Sequence, residues 1–464
     1  MKLWIYITIT GFSSTIYFPG IPAINEELNA PPLATTLAAS IFVLFLGFAP
    51  IIWSAISDFY EIRRFLIMFS MVLFACSSLG AALVNNIWAL VALRCGQAIG
   101  AASAGPVGGG ILTDLYTVEE RGTAFGKLFL GMFLGPIVGP TIGGFLTISN
   151  STWRAAFWFC FAFGAFVVIV AFIFLPETFR DSEKFSVEEK LPTTAITSST
   201  IIAPETSSVD TATAGIDKVI AHHEENQARK KKKVVNPLRP FLLLFYPNIL
   251  LTSLASGIAF ASMFTLDTLL SPIFEQKYQF NAWQVGLSYL GAGCGHLLGT
   301  FTNGQLSDRL LMSSRAKRGG RHKVEDRITI NLWPCFLIFM PGGVLLFGWS
   351  INNNLTYWAP IIGYGIQCFG VSQIMSALGA YWSDAIHPSQ AASVNAAGIF
   401  CSMVLGCCLS LTAPPMVEKI GIGYYSVFLA GLSWLSAGLL LIVKLNGQRI
   451  RRHLGYEQDT ERND

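Results

Sequence analysis

The sequence predicts an all-α membrane protein, with twelve transmembrane helices arranged as two halves of six. Three observations predict this class: an apolar composition, twelve long apolar runs, and basic residues that fall on one side of the predicted membrane. Of the 464 residues, 52% are hydrophobic and 13% are charged, which is about half the charged share of a soluble domain. A soluble core stops growing at about 250–300 residues. The apolar surplus, with a mean hydropathy of +0.52, therefore indicates a bilayer as solvent.

A run of about 20 apolar residues crosses the hydrocarbon core of a membrane. Spans 1 to 6 are predicted at 3–21, 35–57, 65–84, 88–113, 125–147 and 155–176, and spans 7 to 12 at 248–271, 284–306, 328–350, 357–382, 392–414 and 423–444. The domain organisation follows as a first half at 1–178, a linker at 179–246, a second half at 247–446 and a cytoplasmic tail at 447–464.

The predicted linker differs in composition from both halves. It contains Ser/Thr-rich stretches and the lysine run at 230–233. Because its few apolar residues follow no helical or strand period, we expect a disordered cytoplasmic segment. The lysine run is interpreted as a solvated topology signal, and contact with anionic lipid is the alternative.

Basic residues predict the orientation. With the N-terminus in the cytoplasm, 27 of the 31 Lys and Arg fall in cytoplasmic segments or, for Lys127 and Lys444, at the cytoplasmic end of a span; the other four are Arg94, Arg154, Lys277 and Lys419. This bias follows the positive-inside rule, so both termini are expected in the cytoplasm. The plasma membrane is the expected location of the protein. The nine cysteines lie in apolar stretches without a CxxC pair, which argues against a zinc site or a disulfide framework.

Acidic residues mark an internal repeat. Asp58 and Asp308 end the second span of each half, and Asp114 and Asp384 follow the fourth span of each half. In secondary transporters built from such repeats, the substrate site lies between the halves near the middle of the membrane.

The loop after span 2 reads Ser54-x3-Asp58-x4-Arg63-Arg64, and Asp308-Arg309 is its counterpart in the second half. An acid at a helix end can pair with loop arginines in one state and release them in another, which would make a latch. The alternative is a surface ion pair worth under about 1 kcal/mol.

Span 4 contains the pattern Leu90-x3-Arg94-x2-Gln97-x2-Gly100. A charged side chain inside a membrane costs at least about 2.5 kcal/mol, so a functional role is the default interpretation. Helical spacing places Arg94 and Gln97 on one face. The alternative is a structural anchor that donates to backbone carbonyls.

Span 5 contains Gly131-x3-Gly135-Pro136-x2-Gly139-Pro140-x2-Gly143-Gly144. Glycines four residues apart allow helices to approach closely, and prolines weaken the helix so that it can bend. A generic packing face is the alternative interpretation of this segment.

With these motifs, together with Trp153-Arg154 at the start of span 6 and Leu175-Pro176-Glu177-Thr178 at its end, the sequence resembles the major facilitator superfamily. Within that family it looks most like the twelve-span drug:proton antiporters of fungi, such as the quinidine- and multidrug-resistance exporters of yeasts. The resemblance covers nearly the whole chain except the linker. Two departures stand out: Ser54, Glu61 and Ile62 replace residues of the family's loop, and span 1 contains no acid.

The resemblance implies export in exchange for protons, with a proton-coupling role for Arg94. It implies an antiporter motif at Gly135, Pro136, Gly139, Pro140, Gly143 and Gly144. It also implies a cytoplasmic gate at Asp58, Arg63, Arg64, Asp114, Arg121, Asp308, Arg309 and Asp384.

Polar residues within the spans are the candidates for a central site. The predicted substrate cavity contains Ser13, Tyr17, Gln97, Tyr289, Thr300, Tyr364, Gln367 and Asn395. Asp267 and His296 join Arg94 as candidates for proton coupling, because a buried carboxylate can trade a proton for a cationic substrate and histidine titrates near neutral pH. The alternatives are that Asp267 lies at the wet outer end of span 7 and that His296 donates to a neighbouring carbonyl.

The leading functional hypothesis is a proton-coupled exporter of amphipathic or cationic compounds, such as drugs, polyamines and related metabolites, acting as a monomer in the bilayer. The alternatives are an importer or uniporter of the same family and a membrane sensor without transport. The sequence has no GxxxxGK[ST] pattern, which argues against an ATP-driven pump. No enzymatic activity, cofactor, metal or nucleic-acid partner is predicted.

Overall fold

The computed structural model describes residues 4–60, 64–105, 135, 138–148, 152–174, 239–316, 328, 330–385 and 391–453. Within these ranges helices are the only regular secondary structure. Seven helices in them are long and apolar enough to cross a membrane. They correspond to predicted spans 2, 3, 6, 7, 9 and 10 and to a long helix that contains spans 11 and 12.

The first half has these helices: Trp4–Thr15, a 3-10 turn at Phe18–Gly20 and Ile21–Glu27 for span 1; Pro32–Tyr60 for span 2; Arg64–Leu83 for span 3; Ile87–Ala101 for span 4; residues 138–146 for span 5; and Arg154–Phe174 for span 6. Span 1 is therefore broken, whereas the apolar run predicted one helix. Pro19 lies in the 3-10 turn, and because proline lacks an amide N–H, a continuous helix is interrupted there.

A short helix at Arg239–Leu243 precedes the predicted second half. The helices of the second half are Pro247–Tyr278 for span 7; Ala282–Ser288 and Leu290–Ala316 for span 8; Leu332–Pro334, a π-helical turn at Cys335–Phe339 and Met340–Asn352 for span 9; Trp358–Ala385 for span 10; and Ala391–His453 for spans 11 and 12. The last helix breaks at Gly421, where φ is +78°. This conformation suits glycine because it lacks a Cβ.

Close helix packing within the second half depends on small residues, as expected where lipid offers no hydrophobic force between helices. Span 8 presents Gly291, Gly295 and Gly299 to span 10. A Cβ added at Gly295 would lie 2.1 Å from the carbonyl oxygen of Gly365. The two backbones are therefore in direct contact, and a larger side chain at that position would separate them.

The two halves touch through spans 2 and 11, spans 5 and 8, and the broken part of span 1. Ser40 Oγ and Ser410 Oγ are 2.6 Å apart, and the rings of Phe145 and Trp283 stack with centroids 6.4 Å apart. We call the end of the bundle that carries Glu27 the Glu27 end; it is the predicted outer side. These contacts close the bundle toward that end.

Candidate functional site

Arg94 lies at the centre of the first half and is fully buried, at 0% exposure. Its Nη1 donates to Gln97 Oε1 at 2.7 Å and to the carbonyl oxygen of Ser13 at 3.1 Å, and its Nε reaches the carbonyl oxygen of Ala38 at 3.4 Å. The prediction that Arg94 and Gln97 share one face is confirmed. The predicted anchoring to backbone carbonyls is also present.

Two aromatic rings cover the guanidinium plane. The Arg94 Cζ lies 4.1 Å from the centroid of the Phe42 ring and 4.9 Å from that of Tyr17, distances that suit cation–π attraction. Gln97 in turn donates to Ser78 Oγ at 2.8 Å. We call Arg94, Gln97, Ser13, Tyr17 and Phe42 the Arg94 cluster; with Ser78 it ties spans 1 to 4 together.

One amino group of this arginine stays open. Within the described residues, Arg94 Nη2 is buried and has no hydrogen-bond partner. The ion pair that the described residues contain joins Arg154 to Glu27, so no carboxylate there neutralises Arg94. The site is a fixed cation with one free donor.

Asp267 in span 7 forms a second cluster with the two predicted tyrosines. It is 7% exposed, accepts a short hydrogen bond at Oδ1 from Tyr364 OH, and receives Tyr289 OH on its backbone oxygen at 2.6 Å. The alternative that Asp267 lies at a wet outer end is therefore wrong. We call Asp267, Tyr289 and Tyr364 the Asp267 cluster. A buried carboxyl group whose described side-chain partner is one neutral hydroxyl, that of Tyr364, can bind a proton or a cation.

The broken part of span 1 links the two clusters. Tyr17 covers Arg94, and the next residue, Phe18, stacks on Tyr289 with centroids 6.1 Å apart and an interplanar angle of 16°. Phe18 also contacts Phe264 of span 7, at 5.8 Å between centroids. Phe18 was not predicted as a site residue. The available signal was an aromatic pair directly before Pro19, which breaks the helix.

The other predicted cavity residues lie apart from these clusters. His296 Nδ1 is 2.5 Å from Ser372 Oγ, and Thr300 Oγ1 donates to the His296 carbonyl oxygen at 2.8 Å. Gln367 Nε2 donates to Ser262 Oγ at 2.9 Å. The half-buried Asn395 lies on span 11. His296 therefore connects spans 8 and 10 within the second half, whereas the hydrogen bond of Thr300 stays within span 8.

The motif in span 5 has two faces. A Cβ added at Gly135, Gly139 or Gly143 would lie 2.3–2.4 Å from atoms of span 1 in the same half. A Cβ at Gly144 would lie 2.5 Å from the carbonyl oxygen of Ala282 in the other half, and Pro140 O would meet a Cβ at Gly286 at 2.5 Å. The motif therefore packs against span 1 within its own half and also forms part of the contact between the two halves. Pro136 lies outside the described residues.

Little of the predicted gate is described. Arg64 donates from Nη2 to the carbonyl oxygen of Phe172 at 2.7 Å, which ties span 3 to span 6 in the same half. Arg63, Asp114 and Arg121 lie outside the described residues. Asp58, Asp308, Arg309 and Asp384 lie on described helices, but their side chains are outside the description.

Trp153 and Arg154, predicted as family marks without chemistry, form a clasp at the Glu27 end. Trp153 Nε1 donates to Glu27 Oε2 at 2.6 Å, and Arg154 pairs with Glu27 and donates to Asn85 Oδ1 at 2.7 Å. Burial alone would raise the pKa of the Glu27 carboxyl. The hydrogen bonds from Arg154 and Trp153 lower it by more, so the pKa lies below its usual range. The clasp joins the ends of spans 1, 3 and 6.

Comparison with known proteins shows to which family this chain belongs. Residues 3–411 match the model of the Major Facilitator Superfamily. The chain belongs to this superfamily. Two fungal relatives are each 28% identical. The MFS-type transporter hepF of Aspergillus oryzae matches over 95% of this chain and 85% of its own length, and the MFS transporter fsa7 of a Fusarium species over 97% and 84%.

Solved structures confirm the fold. A crystal structure of a D-xylose-proton symporter superposes with a TM-score of 0.67 at 13% identity, covering 95% of each chain. This facilitator is therefore an integral membrane protein with the twelve-span fold, as the sequence predicts. It is a transporter of small molecules. Members of the family are not enzymes, which agrees with the prediction made from the sequence.

Proposed function

We propose that this facilitator is a proton-coupled antiporter that exports small amphipathic or cationic compounds by alternating access. The observation that carries the proposal is the position of the span 5 motif. Gly139 and Gly143 pack on span 1, while Pro140 and Gly144 lie against span 8 of the other half. A motif that resembles the antiporter signature thus occupies the contact that must open and close during transport.

The Asp267 cluster supplies a group for proton exchange. The carboxyl group of Asp267 is buried, its described side-chain partner is the neutral Tyr364, and Tyr289 connects it to Phe18 of the first half. Substrate binding from one side of the membrane releases the proton of Asp267. Protonation of Asp267 from the other side then returns the carrier to its starting state. One proton entering down 100 mV yields about 2.3 kcal/mol, which is enough to drive a useful gradient of a neutral substrate.

In this scheme Arg94 is a fixed charge that assists proton coupling, and His296 in the second half is a further candidate for proton coupling. The predicted cytoplasmic gate, including Asp58 and Asp308, latches the opposite end. We place the protein in the plasma membrane as a monomer with both termini in the cytoplasm, in line with the distribution of its basic residues.

A resistance screen tests the proposal. Cells that express the full chain are exposed to varied toxic compounds, with and without a protonophore. We expect resistance to a subset of compounds, lost when the protonophore is present. Transport that survives the protonophore would indicate a uniporter, and absence of flux for every compound would favour a sensor.

A further inference from the structure

The open amino group of Arg94 indicates what part of a substrate the first half recognises. Arg94 is fully buried, and Nη2 has no hydrogen-bond partner within the described residues. A buried donor on a charged group is costly when it is left unpaired. A bound molecule that offers an oxygen to Nη2 would remove this cost.

The surroundings of the guanidinium restrict how a ligand can approach. Phe42 and Tyr17 cover its plane at 4.1 and 4.9 Å. Nη1 is occupied by Gln97 and by the carbonyl oxygen of Ser13. The edge at Nη2 remains, next to aromatic rings. An oxygen there would receive a charge-assisted hydrogen bond, while a flat apolar body could lie against the rings.

The charges of the two clusters differ in sign. Arg94 in the first half has no carboxylate partner among the described residues, and Asp267 in the second half is held by Tyr364 and Tyr289. A substrate cation would be repelled by Arg94, whereas an oxygen anion would be attracted. If Asp267 binds the exchanged proton, no cationic substrate is needed to neutralise its carboxylate.

We propose that Arg94 Nη2 is the recognition point for an oxygen anion, such as a carboxylate or sulfonate, on a flat apolar compound. This inference rests on the proposed function, keeps its proton-coupled export, and restricts its amphipathic or cationic substrates to amphipathic compounds that carry an acidic oxygen group. Because Arg94 is fully buried in this closed state, the compound binds in a state of the transport cycle in which Nη2 is exposed.

Everted membrane vesicles that contain the full chain provide the test, because export then appears as uptake. Three probes share one ring system: naphthalenesulfonate, the neutral naphthalenesulfonamide and the cation trimethylnaphthylammonium. We expect uptake of the sulfonate to exceed that of the cation by about tenfold or more. Vesicles without the expressed chain give the background.

Variants of Arg94 sharpen the test. Arg94→Gln should reduce sulfonate uptake by about tenfold relative to sulfonamide uptake, and Arg94→Lys, which keeps the charge but loses the planar fork, should lie between. Arg154→Gln is the matched control: it makes the same replacement in the clasp at the Glu27 end, outside the Arg94 and Asp267 clusters, and should keep the preference for anion over cation. The comparison of probes on the wild-type chain needs no variant and stands if Arg94 variants fail to fold.

The outcomes separate this inference from the proposed function. Uptake of the cation alone, sensitive to a protonophore, would overturn the inference and leave proton-coupled export standing. Uptake of the sulfonate that is indifferent to the protonophore would support the anion site and contradict proton coupling. Uptake of none of the probes, or equal loss of all of them in Arg94→Gln, counts against the inference.

Discussion

Gly144 offers a direct way to shift the balance between the closed state and a state open at the Glu27 end. A Cβ at this position would lie 2.5 Å from the Ala282 carbonyl oxygen and 3.1 Å from the Trp283 Cα, both in the other half. Ordinary carbon contacts are about 3.5–4.0 Å long, so Gly144→Ala can close only if the backbones separate by about 1 Å. Overpacking of this kind costs about 1–3 kcal/mol, which lowers the closed-to-open ratio about 5- to 150-fold.

Gly143→Ala is the matched control, since its Cβ would meet Ile16 O of the same half at 2.3 Å. It should lower the stability of the fold and leave the balance between states nearly unchanged. The open fraction can be measured as the rate at which a membrane-impermeant maleimide labels Ser410→Cys, in a chain whose nine native cysteines are replaced. Ser410 is 0% exposed in the closed state, so labelling requires opening.

We expect the labelling rate to rise by the same 5- to 150-fold, roughly, in Gly144→Ala and by less than about twofold in Gly143→Ala. An unchanged rate in Gly144→Ala, or equal increases in both variants, would refute the assignment of the two faces of span 5.

Three further predictions follow from the same contacts. Asp267→Asn should abolish the dependence of efflux on an imposed pH gradient, because an amide cannot release a proton; retained dependence in vesicles would exclude it as the proton carrier. Ser40→Cys with Ser410→Cys should form a disulfide between halves, because the native hydroxyls are 2.6 Å apart; transport should stop and return with reductant, and a fully active cross-linked chain would contradict the need for opening. The pKa of Glu27 in the folded chain lies below its value in the unfolded chain, which is about 4.3. Glu27 therefore stabilises the fold above about pH 4.3, and this contribution is lost as the pH falls through the lower pKa of the folded chain. The melting temperature of the purified protein should show this acid-side loss, and Arg154→Gln should diminish it; identical pH profiles would show that the pair adds nothing.

The sequence predicted single candidate residues better than it predicted which residues contact them. Arg94 and Gln97 were found because a charge inside an apolar run is costly, and this signal does not depend on tertiary structure. Asp267, Tyr289 and Tyr364 were each predicted from polarity inside a span. Their mutual contact could not be predicted, because it depends on how spans 7, 8 and 10 pack.

The contacts of apolar residues, and of residues at the ends of spans, were harder to predict from the sequence. Phe18 is one of 35 phenylalanines, and its local signal, an aromatic pair directly before Pro19, does not show which helices its ring contacts. Trp153 and Arg154 were interpreted as family marks, because their partner Glu27 is more than 120 residues away in the sequence. His296 was predicted as a candidate for proton coupling because histidine titrates near neutral pH. Its contact with Ser372 could be seen only once span 10 was placed.

Purified chain in liposomes that contain a pH-sensitive dye tests proton-coupled export most directly. The membrane potential is clamped, and a compound identified in the resistance screen is added outside without a pH gradient. Antiport predicts that entry of the compound drives protons out, so the lumen becomes alkaline, and that Asp267→Asn abolishes this change. Acidification of the lumen would indicate symport, and entry of the compound without any pH change would indicate uniport; either result would contradict the account.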